Sequence, residues 1–211
     1  MALHTLEAFV ATRAWVAETT KKCLVLAHDQ SRQTYFSRYS WRMLGSSSHV
    51  RVRCGQLSDA KVLADVFERS WRHAYVGILP RAHLDSLILR RGRRWWTSAI
   101  RSGDRILVLE VAGEICGYAS CGPARNRGRY EGEIYELYLT PEYQGLGFGE
   151  LLFEACRNEL DKRKFNGLIV WALADNDIAA DFYWRRGGRP VQQVNDRVGT
   201  VDMAKVGFGW P

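Results

Sequence analysis

Residues 133–149 read Glu133-Ile134-Tyr135-Glu136-Leu137-Tyr138-Leu139-Thr140-Pro141-Glu142-Tyr143-Gln144-Gly145-Leu146-Gly147-Phe148-Gly149, and this stretch decides the fold. Glu133 to Leu139 read as an alternating strand. Gln144 to Gly149 then turn the chain directly into a helix whose apolar face is Leu151, Leu152, Ala155, Cys156 and Leu160. Glycines let a backbone approach a ligand closely, and the start of a helix offers unpaired N–H groups carrying partial positive charge. Strand, glycine turn and helix in this order can cradle a pyrophosphate. The same residues also suit a tight strand-to-helix turn that binds nothing. Two other phosphate motifs are excluded by spacing: the third glycine comes one residue early for G-x-G-x-x-G, and Gly149-Glu150-Leu151 lacks the G-K-[ST] ending of a Walker A loop.

Upstream, Val50-Arg51-Val52-Arg53 alternates as a half-buried strand, and Ser58-Asp59 offers a helix N-cap. The following helix carries Val62, Leu63, Val66, Phe67 and Trp71 at helical spacing and ends near Gly77; Pro80 opens another through Leu84, Leu87 and Leu89. Arg105–Glu110 and Ile115–Ser120 read as strands joined by a turn at Val111–Glu114, and a polar loop spans Pro123 to Gly132. Downstream come a helix from about Gly149 to Lys164, a strand Leu168–Ala172, a short helix after Asn176, and strand candidates at Val191–Val194 and Thr200–Val206. The order β-α-α-β-β-β-α-β-α-β-β predicts an α/β domain with one mixed, mostly antiparallel central sheet flanked by helices.

The chain has 211 residues, 46% apolar and 25% charged, which excludes a disordered chain. No window approaches the ~18 apolar residues of a membrane span, so no membrane partner is expected. The formal charge of +7 points to a polyanionic ligand. Residues 1–48 contribute +3 of it and end in the linker-like Gly45-Ser46-Ser47-Ser48, so they are expected to be an N-terminal extension without a catalytic part, leaving residues 49–211 as the domain. Cys23, Cys54, Cys116, Cys121 and Cys156 lack C-x-x-C spacing and read as reduced thiols in a cytoplasmic protein, and the five histidines show no metal-binding pattern, so no metal is expected.

The stretch 133–149 resembles the acetyl-CoA signature of the GNAT superfamily of N-acetyltransferases, whose core is [QR]-x-x-G-x-[GA]. Asn176-Asp177-Ile178-Ala179-Ala180-Asp181-Phe182-Tyr183-Trp184-Arg185-Arg186-Gly187-Gly188 is similar to that family's N-x-x-A-x-x-F-Y-x-x-x-G-[FG] segment. A weaker match is Trp71 to Pro80, which looks like the first-helix segment of many bacterial members. The resemblance runs in order over residues 49–208. It implies the GNAT acyl-CoA N-acyltransferase fold, acetyl-CoA as co-substrate, and transfer of the acetyl group to a primary amine by direct attack in a ternary complex. It further implies pantetheine contacts at Leu137, Tyr138 and Leu139 and pyrophosphate contacts from Gln144 through Gly145, Leu146, Gly147, Phe148, Gly149 and Glu150. Asn176 would also hold the cofactor, and Tyr183 would protonate the departing sulfur.

The resemblance makes Glu133 and Glu136 the candidate bases: Glu133 aligns with the catalytic glutamate of histone-acetylating members, and Glu136 would sit nearer the thioester. Strict alternation sets them on opposite faces, Glu133 with Leu137 and Leu139, unless a bulge intervenes. Members that acetylate a ribosomal-protein N-terminus carry a glutamate where this chain has Trp171. Tyr75 and Trp71 are the candidate acceptor contacts, with Trp71 also suited to core packing, and the loop Arg125–Tyr130 could close over substrate. The acceptor is expected to be a small-molecule amine or a peptide or protein amine, and homodimerisation stays open. The rival reading is a basic nucleic-acid-binding module built on the helix-end run Arg90-Arg91-Gly92-Arg93-Arg94-Trp95-Trp96. Against it, cations at a helix end favour the dipole and the tryptophans would cap a core, so no nucleic-acid partner is expected.

Overall fold

The structure is a computed structural model that describes residues 49–126, 128–198 and 201–211. The expected extension, residues 1–48, lies outside the described residues, as do Arg127 of the polar loop and Thr200 of the last strand candidate. The elements are β1 (Val50–Cys54), α1 (Ala60–Tyr75), α2 (Arg81–Arg90), α3 (Arg93–Ser102), β2 (Ile106–Val111), β3 (Glu114–Pro123), β4 (Gly132–Leu139), α4 (Phe148–Lys162), β5 (Leu168–Leu173), α5 (Asp177–Arg185), β6 (Arg189–Val198) and β7 (Val201–Trp210).

The strands form one seven-stranded sheet in the order β1-β2-β3-β4-β5-β7-β6. Every pairing is antiparallel except β4 with β5. This is the mixed, mostly antiparallel sheet expected from the sequence. A parallel pair needs a crossover, and α4 supplies it. Its buried Leu152, Phe153, Cys156 and Leu160 cover one face of the sheet together with Tyr183 of α5. The opposite face is covered by Leu63, Val66 and Phe67 of α1, Leu84 and Ile88 of α2 and Trp96 of α3.

Several local expectations shift. Helix α1 buries Leu63, Val66, Phe67 and Ser70, so Val62 falls one position off the buried stripe and is exposed. In α2 the buried positions are Leu84 and Ile88, and Leu89 is exposed. Asp59 flanks α1 without a side-chain capping bond because its carboxylate is engaged by Arg53 (2.6 Å) and by the Gln56 N–H (2.7 Å). Helix α3 was not expected. Gly92 takes an extended conformation (φ −69°, ψ −179°) that splits the Arg90–Trp96 run: Arg90 ends α2, and Arg93 opens α3.

The glutamate alternation is corrected by a β-bulge. Ser120 pairs with Glu136 and Cys121 with Ile134, so Tyr135 is the extra residue. Glu133 opposes Gly122 and Glu136 opposes Ser120, positions two apart on β3. Both carboxylates therefore lie on the face that also presents Tyr118 and Tyr138, and Glu133 does not share the face of Leu137 and Leu139.

Candidate active site

The β4–β5 pairing covers only Gly132–Ile134 against Leu168–Val170. Beyond it β5 continues against β7, while β4 continues against β3, so the two strands splay. The Thr140 N–H donates to Cys116 O at 2.9 Å, toward β3. Strand alternation then aims the N–H groups of Leu139 and Leu137 into the splay. A row of backbone donors is open to an extended ligand there.

The splay leads to the glycine turn. Gly145 and Gly147 have φ +72° and +85°, values that favour glycine, and a Cβ at either position would meet nothing within 4 Å. The N–H groups of Gly145, Leu146, Gly147, Phe148 and Gly149 donate no backbone hydrogen bond among the described residues, and they converge at the N-terminus of α4. This is a concave anion cradle. The Glu150 N–H is taken by Gly147 O at 3.1 Å, and the Gln144 side chain donates to Leu139 O at 3.0 Å, fixing the turn from inside. Arg186, which the sequence reading did not single out, donates to the Glu150 carboxylate at 3.0 Å and lies 4.1 Å over the Phe182 ring. Gly149 serves packing: a Cβ there would come within 3.0 Å of Phe182.

Asn176 caps α5, its side-chain oxygen accepting from the Ala179 N–H at 3.1 Å, which leaves its amide NH₂ available. Two turns on, Tyr183 is 6% exposed among Phe153, Phe208 and Trp210, and its hydroxyl has no hydrogen-bond partner among the described residues. Burial first, and the nearby Tyr75 second, push that hydroxyl well up from the ordinary phenol value. It is a protonated donor throughout the neutral range.

On the opposite face the Tyr75 and Tyr138 hydroxyls share a 2.6 Å hydrogen bond. Their rings stack with Trp71, whose centroid lies 4.8 Å from Tyr75 and 5.7 Å from Tyr138. Trp71 thus belongs to the core beneath the cleft, and Tyr75 brings its polar tip to it. Glu136 is hydrogen-bonded by Arg91, a residue noted in sequence only as part of the basic run. Glu133 is 1% exposed and accepts from the Arg125 backbone N–H at 2.8 Å and side-chain Nε at 3.0 Å. Arg125 also lies 4.9 Å over Tyr135, so this carboxylate anchors the start of the 123–132 loop. Two cavities flank that anchor. One of about 360 Å³ is lined by Arg91, Trp95, Trp96, Arg125 and Glu136; another of about 430 Å³ is lined by Tyr130, Glu133, Trp171 and Gln192. The basic run does not form one surface, because Arg91 turns onto Glu136 and Trp96 is 1% exposed.

Among the described residues no helix is long and apolar enough to cross a membrane, and no cluster of three His, Cys, Asp or Glu could hold a metal. A sheet split beside a glycine cradle defines a transferase built around an extended, phosphate-bearing co-substrate. Residues 64–187 match the Acetyltransferase (GNAT) family profile. The chain is 32% identical over 163 residues to the uncharacterized N-acetyltransferase YuaI of Bacillus subtilis, covering 77% of this chain and 93% of the relative. Its fold matches the PaiA N-acetyltransferase of Thermoplasma acidophilum, solved with coenzyme A, with a TM-score of 0.61 at 18% identity, over 74% of this chain and 97% of that one. It also matches the acetyltransferase YncA of Salmonella typhimurium, solved with acetyl-CoA, with a TM-score of 0.56 at 18% identity, over 77% and 94% of the two chains. The chain belongs to the GNAT superfamily of N-acetyltransferases and is an acyltransferase.

Proposed function

We propose that this enzyme transfers an acetyl group from acetyl-CoA to a primary amine by direct attack within a ternary complex. The observation that carries the reading is the opening between β4 and β5, which runs from the glycine cradle to a point reached by Tyr183 from one face and by Tyr138, Tyr75 and Glu136 from the other. Bound acetyl-CoA supplies the activated acyl group.

Each residue then has a task. The N–H groups of Gly145 to Gly149 bind the pyrophosphate, helped by the positive end of α4. The Leu137 and Leu139 N–H groups hold the pantetheine arm, and the Asn176 amide NH₂ adds a donor. A β4 N–H beside the bulge polarises the acyl carbonyl, an electrostatic aid that works best where water is excluded. Tyr183, kept protonated by burial, donates to the leaving sulfur.

Glu136 is favoured over Glu133 as the group that takes the amine proton, directly or through water. It lines an open cavity and lies close enough to the tyrosine pair to add to burial in pushing both hydroxyls up, whereas Glu133 is saturated by Arg125. The coupled hydroxyls of Tyr75 and Tyr138 orient the incoming amine. The acceptor is a small-molecule amine or a peptide amine. Free thiols at Cys54, Cys116, Cys121 and Cys156 support a cytoplasmic setting. Release of thiol from acetyl-CoA, followed across a panel of alkylamines, amino acids and peptides, tests the reading. Absence of amine-dependent thiol with every class would overturn it.

A further inference from the structure

Arg91 occupies an arrangement built for a cation. It lies at the break between α2 and α3, and its side chain turns inward. The guanidinium carbon sits 4.4 Å from the Trp95 ring centre, 5.1 Å from Phe67 and 5.9 Å from Trp71, and the group donates to Glu136. An aromatic wall with a carboxylate beside it is the chemistry that holds ammonium and guanidinium groups. Arg91 and Glu136 both line the open cavity of about 360 Å³, so this occupant has a path to solvent. The cavity's other arginines are engaged elsewhere: Arg105 with Glu159 at 2.8 Å, Arg125 with Glu133, and Arg163 at 4.8 Å over Phe165.

A second observation concerns Glu136 without Arg91. The indole N–H of Trp96 is buried with no hydrogen-bond partner, and the buried Trp71 indole N–H and Tyr118 hydroxyl lie next to each other, the hydroxyl also beside Glu136, without a hydrogen bond of normal geometry. Buried donors without acceptors are rare in native structures and call for an explanation. Of the five such groups among the described residues, these three belong to the aromatic cluster around this carboxylate; the other two are on His83 and Arg186. The Trp96 and Tyr118 rings lie 4.9 Å apart, and Tyr118 sits two residues from Ser120, the cross-strand partner of Glu136. Burial, and next the Glu136 carboxylate itself, push the Tyr118 hydroxyl up. The Tyr118 hydroxyl is thus placed to donate to Glu136 when Arg91 leaves it.

We propose that Arg91 is an internal stand-in for a substrate cation: an acceptor bearing an ammonium or guanidinium group takes its place between the aromatic wall and Glu136, while Arg91 swings into the open cavity. The identity of that cation as the acceptor rests on the acetyl-transfer reading; the cation site itself does not.

The test uses the full chain without acetyl-CoA. It is titrated with n-butylammonium, with ethylguanidinium and with n-butanol as a neutral control, and binding is read from tryptophan fluorescence. Arg91→Met keeps the aliphatic packing and removes the competitor, so both cations should bind roughly tenfold tighter while n-butanol is unchanged. Adding Glu136→Gln to that variant should return cation affinity to the wild-type level or below. Unchanged or weaker cation binding in Arg91→Met would overturn the proposal. Arg91→Gln replaces it if the melting temperature shows that the Met variant does not fold. Thiol release separates the two readings. The expected binding pattern with no thiol release for any amine would keep the cation site and sink acetyl transfer. Thiol release whose amine KM is indifferent to Arg91→Met would do the reverse.

Discussion

The two faces of the sheet are built by different rules. On the α4–α5 side the groups we assign to the co-substrate are mainly backbone: consecutive N–H donors from Gly145 to Gly149, and β4 amides beside the splay. On the α1–α3 face the groups we assign to the acceptor are side chains: Tyr75 from α1, Arg91 from the end of α2, Tyr118 from β3, Glu136 and Tyr138 from β4. A backbone site needs particular glycines at particular spacings, whereas a side-chain site can be rebuilt from many residue types. The first constrains the chain over short segments, and the second leaves the acceptor free to differ between relatives.

Substitutions on each face should therefore separate turnover, co-substrate binding and acceptor use. The largest expected effect is on the chemical step: Tyr183→Phe should lower kcat by roughly 10²–10⁴-fold with acetyl-CoA affinity nearly unchanged, measured by thiol release and by calorimetric titration. Full turnover in that variant would remove Tyr183 as the acid. Gly147→Val imposes a β-branched residue at φ +85°, a left-handed conformation that would distort the turn carrying the free N–H groups. Acetyl-CoA affinity should fall by at least about tenfold, since left-handed strain alone costs about 1–2 kcal/mol. Amine KM should barely move. Glu136→Gln should do the opposite, lowering kcat/KM for amines by roughly 10²-fold while sparing acetyl-CoA binding; equal damage to both would break the division between the faces.

Smaller effects concern stability. Burial holds the hydroxyls of Tyr75, Tyr118, Tyr138 and Tyr183 above the ordinary value of 10.0. The folded protein binds those protons more tightly than the unfolded chain does. Their contribution is fully present below about pH 10 and is lost as the pH climbs through the folded values. Thermal melts should decline above pH 10, with tyrosinate absorbance rising in step with unfolding; early tyrosinate absorbance in the folded protein would contradict this. The smallest effect is at Tyr118, whose buried hydroxyl lies beside Glu136 and Trp71 without a hydrogen bond of normal geometry. Tyr118→Phe should be neutral or stabilise by up to about 1 kcal/mol in denaturant unfolding.

The contrast also explains what the sequence made legible. The order of strands and the helices α1, α2, α4 and α5 could be read because apolar periodicity and turn residues are local signals. The glycine turn into α4 was readable for the same reason: Gln144 to Gly149 are contiguous. Helix α3 escaped because it starts inside a basic run that read as the end of a single helix, and the extended Gly92 leaves no periodic mark. The bulge at Tyr135 escaped because nothing in Glu133–Glu136 distinguishes an inserted residue from strict alternation; its register depends on β3. The partners of Glu133 and Glu136 lie 8 and 45 residues away, the first across a loop and the second across α3, β2, β3 and that loop, so neither pairing could be foreseen from spacing.

The contact of Gly149 with Phe182 carries one more consequence. It clamps the start of α4 against α5 at the residue preceding Tyr183. The phosphate end and the sulfur end that we assign to the site are thereby joined by one direct contact, in which Gly149 offers Phe182 no more than a hydrogen atom. A larger residue there would push the two ends apart, and a co-substrate of fixed length would then be gripped at one end only.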